Sequence, residues 1–103
     1  MVLYEKLTTR KDLFIMKSYL NHLANKVVDT VFECSENGTF GIGEIVINSC
    51  ESVKEQIDVI KLHREEFFTE LWDVADNSDI SEKECEYLSA VEGAIVMMCG
   101  GQI

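Results

Sequence analysis

The residues with the most chemical capacity here are two histidines, four cysteines and a dense run of carboxylates. His63 and Glu66 stand three apart on an expected helix, so an imidazole and a carboxylate share one face. That is half of a carboxylate-bridged metal site, which needs further Glu-x-x-His pairs. His22 supplies none, because Tyr19 occupies the position where the acid would stand. Neither histidine has a nucleophile fixed beside it by sequence, so no nucleophile–base pair is indicated. Cys34, Cys50, Cys85 and Cys99 are spaced by 16, 35 and 14 residues, with no Cys-x-x-Cys pair. Zinc sites draw ligands in close pairs, because a short turn aims two side chains at one ion. No secretory signal is expected, so the cysteines read as reduced, small core hydrophobes. Cys99, beside Gly100 and Gly101, is the one expected at the surface. Gly38, Gly41 and Gly43 lack a following lysine and do not form a phosphate cradle. Neither enzymatic activity nor a cofactor or metal is expected.

Calcium offers the sharpest ligand pattern. Asp73 to Glu84 reads DVADNSDISEKE and resembles an EF-hand loop, with Asp73 at position 1, Asn77 at 5, Ser81 at 9 and Glu84 at 12. Ala75 takes position 3, where an oxygen is required, and Ser78 replaces the turn glycine. Forty residues upstream, Glu33 to Glu44 reads ECSENGTFGIGE and matches at Ser35, Asn37, Gly38 and Glu44. Glu33 crowds position 1, and Gly41 has no side chain at position 9. A degenerate EF-hand pair, as a calcium sensor or a metal-free relic, is therefore the alternative reading.

Charge is the stronger feature. The chain carries a net −10, unevenly distributed. Residues 1–26 hold Lys6, Arg10, Lys11, Lys17 and Lys26 against Glu5 and Asp12, whereas the remainder holds four basic and seventeen acidic residues. Acidity is densest over Glu65, Glu66, Glu70, Asp73, Asp76, Asp79 and Glu82, which we take as the candidate partner-binding set. Such a patch suits a basic surface on a protein, a nucleic-acid-binding one among the candidates. It repels nucleic acid itself, because phosphates share its sign.

These side chains must be positioned by helices. Proline is absent, so long helices are permitted. A first helix is expected from Thr9, where Thr9 and Asp12 resemble a capping box, to Cys34. Its stripe is Leu13, Met16, Leu20, Leu23, Ala24, Val27, Val31 and Phe32. A second stripe runs through Ile42, Ile45, Val46, Ser49, Val53, Ile57, Ile60, Phe67, Phe68, Leu71 and Ala75, predicting one long helix over about 44–75. A kink is expected near Ser49–Ser52, or a break there capped by Ser52 and Glu55. A short hairpin near 39–48 is the competing local structure, since Ile45-Val46-Ile47 is β-branched. Ser81 with Glu84 then opens a third helix that Gly100-Gly101 closes. Phe67, Phe68, Leu71 and Trp72 form an aromatic cluster read as core, with an exposed Trp72 as the other option.

The expected architecture is thus one domain over residues 1–103, all-α, a three-helix up-down-up bundle with a long central helix. At 47% apolar and 27% charged, the chain is ordinary for a globular protein. Its longest uncharged apolar stretch, Gly93–Cys99, is far short of a membrane span. The expected role is a non-enzymatic, cytoplasmic protein-binding module, an adaptor or inhibitor, with no membrane partner. The surplus length of the middle helix and the apolar Met97-Met98 end suggest a homodimer.

Overall fold

The computed structural model describes the backbone of residues 2–38 and 40–100, and the side chains of residues 15–38 and 40–100. It is all-α. The helices are α1 (Val2–Asn37), α2 (Ile42–Glu51), α3 (Ile57–Leu62), α4 (Arg64–Asn77) and α5 (Glu82–Met98), with a 3-10 turn at Lys54–Gln56. No strand occurs among the described residues, and the stretch suspected of forming a hairpin is α2 from Ile42 onward. No helix among them is long and apolar enough to cross a membrane.

Helix α1 starts seven residues earlier than Thr9 and runs three past Cys34. No proline or glycine interrupts residues 2–37, and an established helix propagates through such a run. A capping signature permits a start without imposing one. The Thr9 and Asp12 side chains lie outside the described residues. The C-terminus of α1 falls where a left-handed residue is available. Gly38 has φ +75°, a conformation that glycine adopts without side-chain strain.

The expected long central helix is instead three helices, so five helices occur among the described residues where three were anticipated. The first break lies close to the expected kink. Ser52 Oγ donates to the Ser49 carbonyl at 2.6 Å, an alternative to continuing the ladder, and Val53 leaves helical geometry at φ −128°, ψ 10°. The second break, at His63 (φ −119°, ψ 42°), has no counterpart in the sequence reading, which placed His63 inside a helix. Packing supplies the cause. A straight helix of that length would leave one end without neighbours. Folded back, its first part packs against α1 and α5 and its last part against α1. Val53, Ile60, Phe67 and Leu71 all become fully buried. The long element is α1, and the argument for a dimer from an over-long middle helix falls with that helix.

The final helix follows its expected cap. Ser81 accepts from the Glu84 amide and Glu84 returns to the Ser81 amide at 3.1 Å, a complete capping box. Gly100, at φ +110°, ends the helix as expected, while Gly101 lies outside the described residues.

One core joins these helices: Leu20, Leu23, Val27, Val28 and Val31 of α1, Ile45 of α2, Phe67 and Leu71 of α4, and Leu88, Val91 and Ile95 of α5. Ser49, on α2, is the single fully buried polar side chain among the described residues, and its hydroxyl has no hydrogen-bond partner. An unpaired buried hydroxyl retains its desolvation penalty. Ser49→Ala should therefore stabilise the protein by about 1 kcal/mol, a rise of about 4 °C or more in Tm. An unchanged or lower Tm in a thermal melt would show that the hydroxyl is satisfied.

Candidate functional site: an acidic groove between two helices

On α4, Phe67, Leu71, Val74 and Ala75 turn inward. Helical geometry then sends the opposite arc outward, and Glu66, Thr69, Glu70 and Asp73 recur on it at i, i+3, i+4 and i+7. Together with Glu65 they form one wall of a groove of about 500 Å³, whose other wall is Met16, Lys17 and Leu20 of α1. An adjoining hollow of about 420 Å³ is bounded by Lys17, Ser18, Asn21 and Glu70. There Asn21 Nδ2 donates to Glu70 Oε1 at 3.3 Å, linking the two walls.

The structure thus gathers four of the seven expected acidic residues, Glu65, Glu66, Glu70 and Asp73. The other three do not line the groove. Asp76 is exposed on the last turn of α4, Asp79 occupies the following turn at φ +54°, and Glu82 lies in the first turn of α5. Glu82 sits at the favourable end of a helix dipole, which gives its charge a local reason. Met16, Lys17, Leu20 and Asn21 are what sequence reasoning missed. The available signal was that Lys17 and Asn21, at i and i+4, flank the apolar stripe of α1.

Among the described residues, four carboxylates here face one lysine. Glu66 Oε2 lies 3.0 Å from His63 Nδ1, so the pair read as half a metal site is a local contact across the start of α4. Among the described residues, no ion pair holds Glu65, Glu70 or Asp73. Negative charge in excess beside a partly apolar wall attracts cationic side chains that carry aliphatic stems.

The EF-hand-like segments take another form. Glu33–Asn37 ends α1, and Asp73–Asn77 ends α4. The first five positions of each are therefore helical, and their oxygens radiate around an axis instead of converging on an ion. Glu84 Oε1, the position-12 ligand of the second segment, is held by the Ser81 hydroxyl at 2.9 Å. No cluster of three metal-ligating side chains occurs among the described residues. Millimolar calcium should leave Tm unchanged. A micromolar site at thousandfold excess would add about 4 kcal/mol, so a rise of many degrees that Glu84→Gln abolishes would overturn this expectation.

Cys34 and Cys99 are buried, Cys50 and Cys85 are half-buried, and His22 is exposed. Cys99, expected at the surface, is buried at 4% exposure, because the last turn of α5 packs it into the core. Burial pushes its thiol up, against the opposing pull of Arg64 and Lys61. Burial likewise raises the Cys50 thiol, and Glu51 adds to the effect. Both shifts favour the protonated thiol, the weaker nucleophile. Cys34 is buried and accepts from Asn48 Nδ2 at 3.7 Å. Trp72 is half-buried and donates from Nε1 to Glu92 Oε2 at 3.1 Å, bridging α4 and α5. Met97, 71% exposed, joins Phe68 and Val96 along a groove of about 660 Å³ between those helices. Comparison with protein-family models, with characterised proteins and with solved structures finds no match to this chain.

Proposed function

We propose that this protein is a non-enzymatic binding module, an adaptor or inhibitor, that docks on a basic surface of a partner protein through the α1–α4 groove. The observation that carries the reading is the convergence of Glu65, Glu66, Glu70 and Asp73 on a groove whose other wall is Met16, Lys17 and Leu20. Like charges clustered on one helix face destabilise the free domain slightly, and among the described residues Lys17 is the one cation that opposes them across the groove. Basic side chains from a partner would relieve that repulsion. Nucleic acid would add to it.

A lysine-rich helical peptide serves as the test probe, with a glutamate-rich counterpart and duplex DNA as controls. The wild type should bind the basic peptide alone, more slowly as salt rises, because charge steering acts on the on-rate. Glu66→Lys with Glu70→Lys should slow association by about tenfold or more while leaving the helical circular dichroism intact. Equal on-rates for the two proteins at low salt would remove the groove from the function.

A further inference from the structure

We infer that His63 is a pH-sensitive gate on the α1–α4 groove: once charged, it offsets Glu66 and weakens the groove's hold on a basic partner. This presupposes the docking role proposed for the groove and adds its regulation.

The backbone fixes the imidazole beside the groove. His63 stands where α3 and α4 meet. Its amide donates to the Val59 carbonyl at 3.0 Å, closing α3, and its carbonyl accepts from the Phe67 amide at 2.9 Å, opening α4. Phe67 is fully buried, so the junction is tied to the core. From there the ring lies against Glu66, one turn along, with Nδ1 3.0 Å from Oε2. The His63 side chain is 27% exposed and that of Glu66 65%. The imidazole can therefore exchange protons with water, while the carboxylate stays open to a partner.

The chemistry follows from that contact. An ionised carboxylate only accepts, so Nδ1 carries the hydrogen when the ring is neutral, and a further proton enters at Nε2. The contact survives protonation, and its charge changes. Among the described residues, Glu65, Glu66, Glu70 and Asp73 outnumber Lys17 by three along the groove, so a cationic His63 offsets one of three excess negative charges. The other charges around the ring are Arg64 and Glu65 on α4, Lys61 on α3 and Lys17 on the facing wall of α1. Lysine, arginine and carboxylate side chains ordinarily titrate outside the range from about pH 5.5 to 7.5, and imidazole within it. From α5, Cys99 feels Arg64 and Lys61, but burial pushes its thiol up and so away from this range.

The test titrates the lysine-rich helical peptide, whose charge is constant over this range, against the full chain at low salt and about pH 7.5 and 5.5. The Kd of the wild type should rise about threefold at the lower pH, the effect in water of a unit charge roughly 6 Å from a docked lysine. His63→Gln, which carries a donor for Glu66 and does not titrate, should keep the tighter affinity at both pH values. His63→Lys, charged throughout, should bind about threefold more weakly than wild type at pH 7.5, and equally at both. His22→Gln, at an exposed position on α1, should behave as wild type. Circular dichroism at both pH values confirms that each variant is helical. A purely structural role for His63 would move its two substitutions alike. A pH-independent wild type, a pH response that His63→Gln retains, or a His63→Lys variant as tight as wild type at pH 7.5 would overturn the inference. If the peptide binds at pH 7.5 through Glu66 and Glu70 but pH has no effect, the gate falls and the proposed function stands. If it does not bind at pH 7.5, both fall.

Discussion

Phe67→Ala should cost about 3–5 kcal/mol, read as a fall in the urea midpoint with an unchanged m-value. Phe67 is fully buried on α4, in the core that α1, α2, α4 and α5 share. Its removal forfeits the transfer free energy of the ring and opens a cavity that surrounding helices fill only in part. It also ends an edge-to-face contact with Phe68, with ring centroids 5.5 Å apart at 61°, worth about 1 kcal/mol beyond buried area. A domain of this size has a total stability of about 5–15 kcal/mol, so the variant should be largely unfolded at modest urea. Phe68→Ala provides the contrast, because Phe68 is only half-buried, and its loss should be clearly smaller. If both substitutions cost the same, or Phe67→Ala costs less than about 1 kcal/mol, α4 does not present the face described here.

Ile45→Asp should abolish cooperative folding, whereas Ile47→Asp, two residues along, should leave stability within about 0.5 kcal/mol. Ile45 is fully buried and Ile47 is 61% exposed. In a helix, residues two apart point to nearly opposite sides, whereas in a strand they share a face. The pair therefore reports on the conformation of the segment that sequence left between helix and hairpin. Burying an unpaired carboxylate costs several kcal/mol, or forces the group to stay protonated. Similar damage from both substitutions, in thermal melts at neutral pH, would indicate strand geometry over Ile45–Ile47.

What the sequence determined by itself is local. Apolar residues at three- and four-residue steps marked α1, α4 and α5 as helices, and Ser81 with Glu84 fixed the start of α5. Gly100 marked its end, because a left-handed residue is inexpensive only for glycine. The outward arc Glu65, Glu66 and Glu70, with Asp73 beside it, was equally legible, since side chains within two helical turns are placed by helix geometry alone. Tertiary structure decided the rest. The stripe from Ile42 to Ala75 reads as unbroken because 3.6-residue periodicity survives a bend, and periodicity does not reveal which neighbour each segment will face. The breaks at Ser52–Gln56 and His63 let α2 and α4 both pack on α1, with α2 also against α5, a gain visible only once α1 and α5 are in place. For the same reason Cys99 is buried despite flanking glycines, Asp76, Asp79 and Glu82 part from the groove, and Met16, Lys17 and Leu20 become its second wall. Each outcome depends on contacts between residues far apart in the chain, and spacing along the chain carries no record of those.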